Sequence, residues 1–138
     1  MATRAQIDAT LERYYDAWTR NDPEQYATVW TEDATFADPP GDDEGPPVGI
    51  ENIVAAMADV QSRAESISYW RAYTWHCGHS VAVHSVVTMQ LPEGVAQVPL
   101  VHVFRFAEDA RIRRLEAFLD FDLITMSEGQ RPAWMPTQ

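Results

Sequence analysis

Between Ile67 and Phe121 the chain runs through four stretches rich in Val, Thr and aromatic residues, Ile67 to His76, His79 to Gln90, Gln97 to Ala107 and Arg111 to Phe121. Only the turns Cys77-Gly78, Pro92-Glu93-Gly94 and Glu108-Asp109 divide them. β-Branched and aromatic side chains suit a half-buried pleated surface, while Gly, Pro and Asp suit turns. Connections this short cannot hold the crossover helix that a parallel pair needs. The second half of the chain is therefore predicted to be an antiparallel meander, and a doubly wound sheet is excluded.

The first half has a different period. Ile7, Leu11, Tyr14, Tyr15 and Trp18 recur at spacings of three and four, the signature of a helix with one buried face. Thr3 is placed to cap it, and it should end near Asn21. Asp22-Pro23 then opens a second short helix, with Tyr26, Val29 and Trp30 as its apolar side, so that the two make a hairpin. Thr35-Phe36-Ala37 reads as a very short strand, stopped by Pro39-Pro40 and followed by a loop rich in Pro, Gly and acid from Gly41 to Pro47. A third helix is expected from about Gly49 to Ala64, carrying Ile53, Val54, Met57 and Val60. Helices first and strands after give an α+β class.

At 138 residues and 46% hydrophobic the chain is the size of one domain. We expect that domain to occupy residues 1–125, with 126–138 as a tail in which Trp134 and Met135 could still pack over a pocket or a partner. The formal net charge is −11, and all ten basic residues are Arg. With no basic stripe to neutralise phosphates or anionic lipid, neither nucleic acid nor a membrane surface is expected as a partner. Cys77 is the single cysteine, which suits a reducing compartment, and no leader-like or membrane-spanning run is visible. A cytoplasmic protein is the expectation.

Asp38 is the sharpest chemical feature. Phe36-Ala37-Asp38-Pro39 puts a carboxylate at a strand end beside apolar residues, where burial raises its proton affinity and makes it a usable base. Asp before Pro also simply starts a turn. Tyr14 could present its hydroxyl to a cavity or be satisfied within the core. His102 shares a strand face with Leu100 and Phe104 and is either a satisfied core residue or an acid/base group. His76-Cys77-Gly78-His79 contains zinc-binding residue types, but the spacing fits no common zinc pattern and Cys77-Gly78 is a hairpin turn, so no metal is assigned. No phosphate-binding glycine loop, nucleophile elbow or His-Glu-x-x-His is present.

Taken together, Arg13-Tyr14, the segment from Tyr26 to Asp38-Pro39, Val48-Gly49 and Val103 to Ile112 resemble the ketosteroid isomerase family of the nuclear transport factor 2-like superfamily. SnoaL-like polyketide cyclases, limonene epoxide hydrolase-like and scytalone dehydratase-like enzymes are similar in layout. The most specific piece is Glu32-Asp33-Ala34-Thr35-Phe36-Ala37-Asp38-Pro39. The resemblance implies a cone-shaped curved sheet packed on three N-terminal helices, also called cystatin-like. It implies Asp38 as a proton shuttle and Tyr14 as a donor to the enolate oxygen, with His102 where the family has a second acid. Two tyrosines that support the catalytic one in the family fall near Trp30 and Met57 here.

It also implies a cavity walled by Trp18, Trp30, Met57, Leu100, Phe104, Leu115, Ala117 and Leu119, and a homodimer formed through the outer face of the sheet. The expected function is a cofactor-independent isomerase, cyclase or dehydratase acting on an apolar oxygenated molecule such as a ketone, polyketide or terpenoid. The alternatives are a non-catalytic binder or dimeric scaffold, in which bulky side chains fill the cone, and an epoxide hydrolase or epoxide-opening cyclase. The last needs a second polar group near Asp38, and Asp120 and Asp122 are the acids considered for it.

Overall fold

The computed structural model describes residues 1–41 and 45–127. The acidic run at 42–44 and the tail residues Trp134 and Met135 lie outside them. Helices α1 (Arg4–Arg20) and α2 (Pro23–Thr28) lead into strand β1 (Trp30–Ala37), and α3 (Ile50–Gln61) precedes β2 (Ser66–Cys77), β3 (Ser80–Leu91), β4 (Gly94–Phe106) and β5 (Ile112–Leu119). A short 3-10 turn at Phe121–Leu123 and a two-residue strand β6 (Thr125–Met126) follow. The strands form one curved six-stranded sheet ordered β1-β5-β4-β3-β2, with β6 paired to β4.

Local chemistry sets the helix ends. The Gln6 N–H donates to Thr3 Oγ1 at 3.2 Å and Gln6 Oε1 accepts from the Thr3 N–H at 2.9 Å, a reciprocal cap. Asn21, in the left-handed region at φ 51°, stops α1 where the sequence predicts. Asp22 caps α2 by accepting from the Gln25 N–H. Gly49 turns the chain into α3 at φ 88°, where its N–H donates to the Ala34 carbonyl at 2.8 Å. This ties the loop after Asp38 back to β1, as does the bridge between Thr35 and Val48.

The meander from β2 to β5 is antiparallel, as expected. The first strand differs from expectation. It runs eight residues rather than three, takes Trp30 away from α2, and pairs parallel to β5. Glu32 and Asp33, exposed where the register shifts, interrupt its apolar pattern and hide its length in the sequence. Parallel pairing is open to it because α3 and three long strands separate it from β5 along the chain. Thr125 and Met126 pair with Gln97 and Ala96, which adds a sixth short strand to the sheet.

Strands β3 and β4 alternate strictly, with Val81, Val83, Val87 and Met89 of one and Val98, Leu100, His102, Phe104 and Phe106 of the other facing the helices. On this inner side the domain is packed at one end and hollow at the other. The packed end holds Ile7, Leu11, Tyr14, Trp30, Val83, Phe104, Phe106, Ile112 and Leu115, all almost fully buried. At the other end Phe36, Ile67, Val87, Met89, Val98, Leu100 and Leu119 line open space. Phe104→Ala should therefore cost about 3–5 kcal/mol in a urea titration, as in any close-packed core. Leu100→Ala, which trims a wall already facing a void, should cost clearly less. Equal losses would mean that the hollow end is filled in solution.

Candidate active site

Two adjoining lobes with shared wall residues make up the hollow. The first, of about 280 Å³, is walled by Trp18, Phe36, Asp38, Ile53, Met57 and Val60 and bordered by the loop residues Pro39, Gly41 and Gly45 to Pro47. The second, of about 210 Å³, is walled by the sheet residues Ile67, Tyr69, Val87, Met89, Val98, Leu100, His102 and Leu119, with Phe121 and Ile124. Trp18, Phe36, Asp38, Pro39 and Val60 belong to both, so the Asp38 carboxylate stands where the lobes meet.

Asp38 follows the last residue of β1 and is joined to Pro39 through a cis peptide. Among the described residues its carboxylate has no hydrogen bond or ion pair, and burial alone raises its pKa from 3.8 to about 6. By surface it is open; by the atoms packed around it, it is deep. Both are true of a group on the wall of an interior cavity, which small molecules can reach but bulk water surrounds poorly. Cavity water solvates it in part, so the full rise belongs to the state in which a ligand has displaced that water.

His102 sits on the inner face of β4, nearly buried between Leu100 and Phe104. Its Nδ1 is 2.8 Å from the Tyr15 hydroxyl, and Nε2 has no protein partner at the wall of the second lobe. Burial lowers its pKa to about 3, so the ring is neutral at physiological pH and can donate a hydrogen bond but cannot act as an imidazolium acid. Tyr69, inward-facing on β2, lines the same lobe. Its hydroxyl makes no hydrogen bond among the described residues, and burial, with the Asp38 charge second, keeps it a phenol.

The expected site residues divide cleanly. Asp38 and His102 come to one cavity, with Trp18, Met57, Leu100 and Leu119 in its walls. Tyr14 does not line it; the ring is enclosed by Tyr15, Tyr26, Trp30, His102 and Phe104. The hydroxyls of Tyr14 and Tyr26 and the Trp18 indole N–H lie near one another but out of hydrogen-bond geometry. Trp30, Phe104, Leu115 and Ala117 are also core rather than wall, since all four are buried and none lines either lobe. His76 is 3.0 Å from Asp8 beside the turn of the β2–β3 hairpin, and no three potential metal ligands cluster among the described residues. Asp120 accepts from the Asp122 N–H outside the cavity.

Sequence reasoning missed Tyr69 and Tyr15. Tyr69 shares the inward face of Ile67, but Tyr69-Trp70-Arg71-Ala72-Tyr73 carries aromatics on both faces and contains a bulge between Arg71 and Tyr73, which blurs the alternation.

A curled α+β sheet, hollow at one end and with a carboxylate on the wall of that hollow, defines the class of fold. Within that class the family is clear, since the SnoaL-like domain matches residues 11–115 and the chain belongs to this family. No protein of curated function matches in sequence. Among solved structures, Δ5-3-ketosteroid isomerase from Mycobacterium sp. is similar at TM-score 0.78 and 19% identity, covering 88% of this chain and 98% of that one. RV0760c from Mycobacterium tuberculosis, in complex with estradiol-17β-hemisuccinate, gives 0.78 and 17% over 88% and 98%. The epoxide hydrolase/cyclase-like enzyme SalBIII, linked to pyran ring formation in salinomycin, gives 0.80 and 20% over 91% and 99%. These likenesses show the nuclear transport factor 2-like fold.

A carboxylate whose folded pKa exceeds its unfolded value costs stability once the pH passes that unfolded value. The cost is absent below about pH 3.8, grows through the interval up to about 6, and is complete above it. Asp38→Asn should thus raise the denaturation midpoint at pH 7.5 and leave it unchanged at pH 3.5. The same midpoint for both proteins at pH 7.5 would mean that Asp38 is fully hydrated.

Proposed function

We propose that this protein is a cofactor-independent proton-transfer enzyme acting on an uncharged, enolisable, largely apolar ketone, of polyketide or terpenoid type. The observation that carries the reading is the unpartnered Asp38 carboxylate facing the same lobe as two free hydrogen-bond donors, Tyr69 and His102. Asp38 takes a proton from the carbon next to the carbonyl. Charge then develops on the carbonyl oxygen, where the neutral Nε2–H of His102 and the Tyr69 hydroxyl donate to it. Protonated Asp38 returns the proton at a second carbon in an isomerisation. In a cyclisation the enolate carbon attacks a second carbonyl instead, whose oxygen takes the electron pair and then the proton from Asp38, and in a dehydration the enolate expels a hydroxyl as water with that proton. Among the described residues no Arg lines either lobe, so these supply no counter-ion to a carboxylate or phosphate ester.

The open cavity argues against a filled scaffold, and a ligand-binding role without chemistry is the second reading. Epoxide opening has less support. Among the described residues the other carboxylate of the first lobe is Asp59, exposed and paired with Arg63 at 3.4 Å. No helix among the described residues is long and apolar enough to cross a membrane. Exposed Cys77 suits the reducing cytoplasm, where we place the protein.

Incubation with a panel of cyclic ketones in heavy water should show deuterium entering their α-positions, with Asp38→Asn about a hundredfold slower or worse. Absence of exchange with both proteins would favour the binding role.

A homodimer through the outer sheet face belongs to the same proposal. That face carries Trp70, Tyr73 and Trp75 at 65%, 66% and 53% exposure, with Tyr73 and Trp75 stacked at 5.6 Å and Phe118 further across the sheet. An apolar aromatic patch of this kind favours self-association. Trp70→Ser with Trp75→Ser should convert dimer to monomer in sedimentation equilibrium, and a wild type already monomeric would dismiss the idea.

A further inference from the structure

We propose that Tyr15 is a positioning residue that fixes His102 in the tautomer carrying its proton on Nε2 and so aims a neutral N–H donor into the second lobe. The proposal rests on the proton-transfer reading for its catalytic meaning, though the tautomer itself stands apart from it. The hydroxyl of Tyr15 is 2.8 Å from Nδ1 and is the ring's one hydrogen-bond partner among the described residues. Burial keeps that hydroxyl a phenol, with a proton to donate. A phenol donating to Nδ1 makes that nitrogen the acceptor, which leaves the proton on Nε2.

The mount is rigid. Tyr15 is buried on α1 and its ring meets Tyr14 at 5.0 Å, Tyr69 at 5.0 Å and His102 at 5.7 Å. The Arg71 guanidinium lies 4.7 Å from its centroid, held there by two hydrogen bonds to Glu12 at 2.8 and 3.0 Å. Glu12 and Tyr15 belong to α1, and Arg71 to β2, so this clamp fastens the helix to the sheet edge over the tyrosine. A cation on a ring face is attracted by its π electrons and opposes rotation of the ring away from it.

One competing arrangement is possible in chemistry. Ser85 Oγ lies beside the Tyr15 oxygen without reaching it in hydrogen-bond geometry. Were Tyr15 to donate to Ser85, Nδ1–H would donate to Tyr15 and Nε2 would face the lobe as an acceptor. An acceptor there repels a developing oxyanion, whereas a donor stabilises it. The direction of this single hydrogen bond thus decides whether the lobe receives an enolate.

Long-range nitrogen–proton NMR spectra of protein labelled at histidine distinguish the tautomers directly. In the wild type His102 should show a protonated Nε2 and an unprotonated, hydrogen-bonded Nδ1. Tyr15→Phe, which keeps the ring and the cation above it, should give a mixture of tautomers. It should also lower ketone deuterium exchange about tenfold at saturation, the loss expected for one misplaced hydrogen-bond donor, with little change in half-saturation. A purely structural tyrosine would shift the melting temperature and leave the tautomer alone. Nδ1–H in the wild type, or one unchanged tautomer in Tyr15→Phe, would overturn the proposal. The expected tautomers with no exchange in either protein would instead refute the proton-transfer reading and leave the role of Tyr15 standing.

Discussion

The contact between the inner face of α1 and the concave side of β4 governs the rest of the molecule. Tyr14 and Tyr15 pack edge-on against Phe104, and both rings meet His102. These large aromatics fill one end of the curled sheet, supplying the burial that a domain of this size needs. Four residues further along α1, Trp18 stands at the boundary, and beyond it the sheet residues face open space. Stability is concentrated at one end, and the other end is free to hold a ligand.

Groups at that boundary are the chemically unusual ones. Asp38 has no hydrogen-bond or ion-pair partner among the described residues, so once a ligand displaces its water the charge it carries is poorly stabilised. A carboxylate in that condition binds a proton more readily, as a base for carbon acids must. Across the lumen His102 shows the converse response, since burial keeps it neutral. One low-dielectric hollow thereby produces a stronger base and a neutral donor from two residues that titrate in the opposite order in water.

Most of the architecture was legible in the sequence because it follows from periodicity and turns. The caps at Thr3 and Asn21 and the four long strands lie where local chemistry puts them. The length and direction of β1 were not legible, since Glu32 and Asp33 break its pattern and its partner strand lies far along the chain. Asp38 and His102 could be singled out from residue type and strand face. The retreat of Tyr14 from the lumen and the arrival of Tyr69 could not, because the depth to which helix side chains fill a cone depends on packing between elements remote in sequence. Trp30, Phe104, Leu115 and Ala117 illustrate this, as apolar inward residues whose place in core or wall depends on which end of the cone they occupy.

The state of a single carboxyl group decides the chemistry open to this site, and carbon-13 NMR titration of the Asp38 side chain measures it directly. The structure predicts a midpoint above the ordinary 3.8, rising to about 6 when an apolar ligand displaces water from the lobes. A midpoint at or below 3.8, unchanged by ligand, would show a well-solvated or partnered carboxylate and would contradict the assignment of Asp38 as the base.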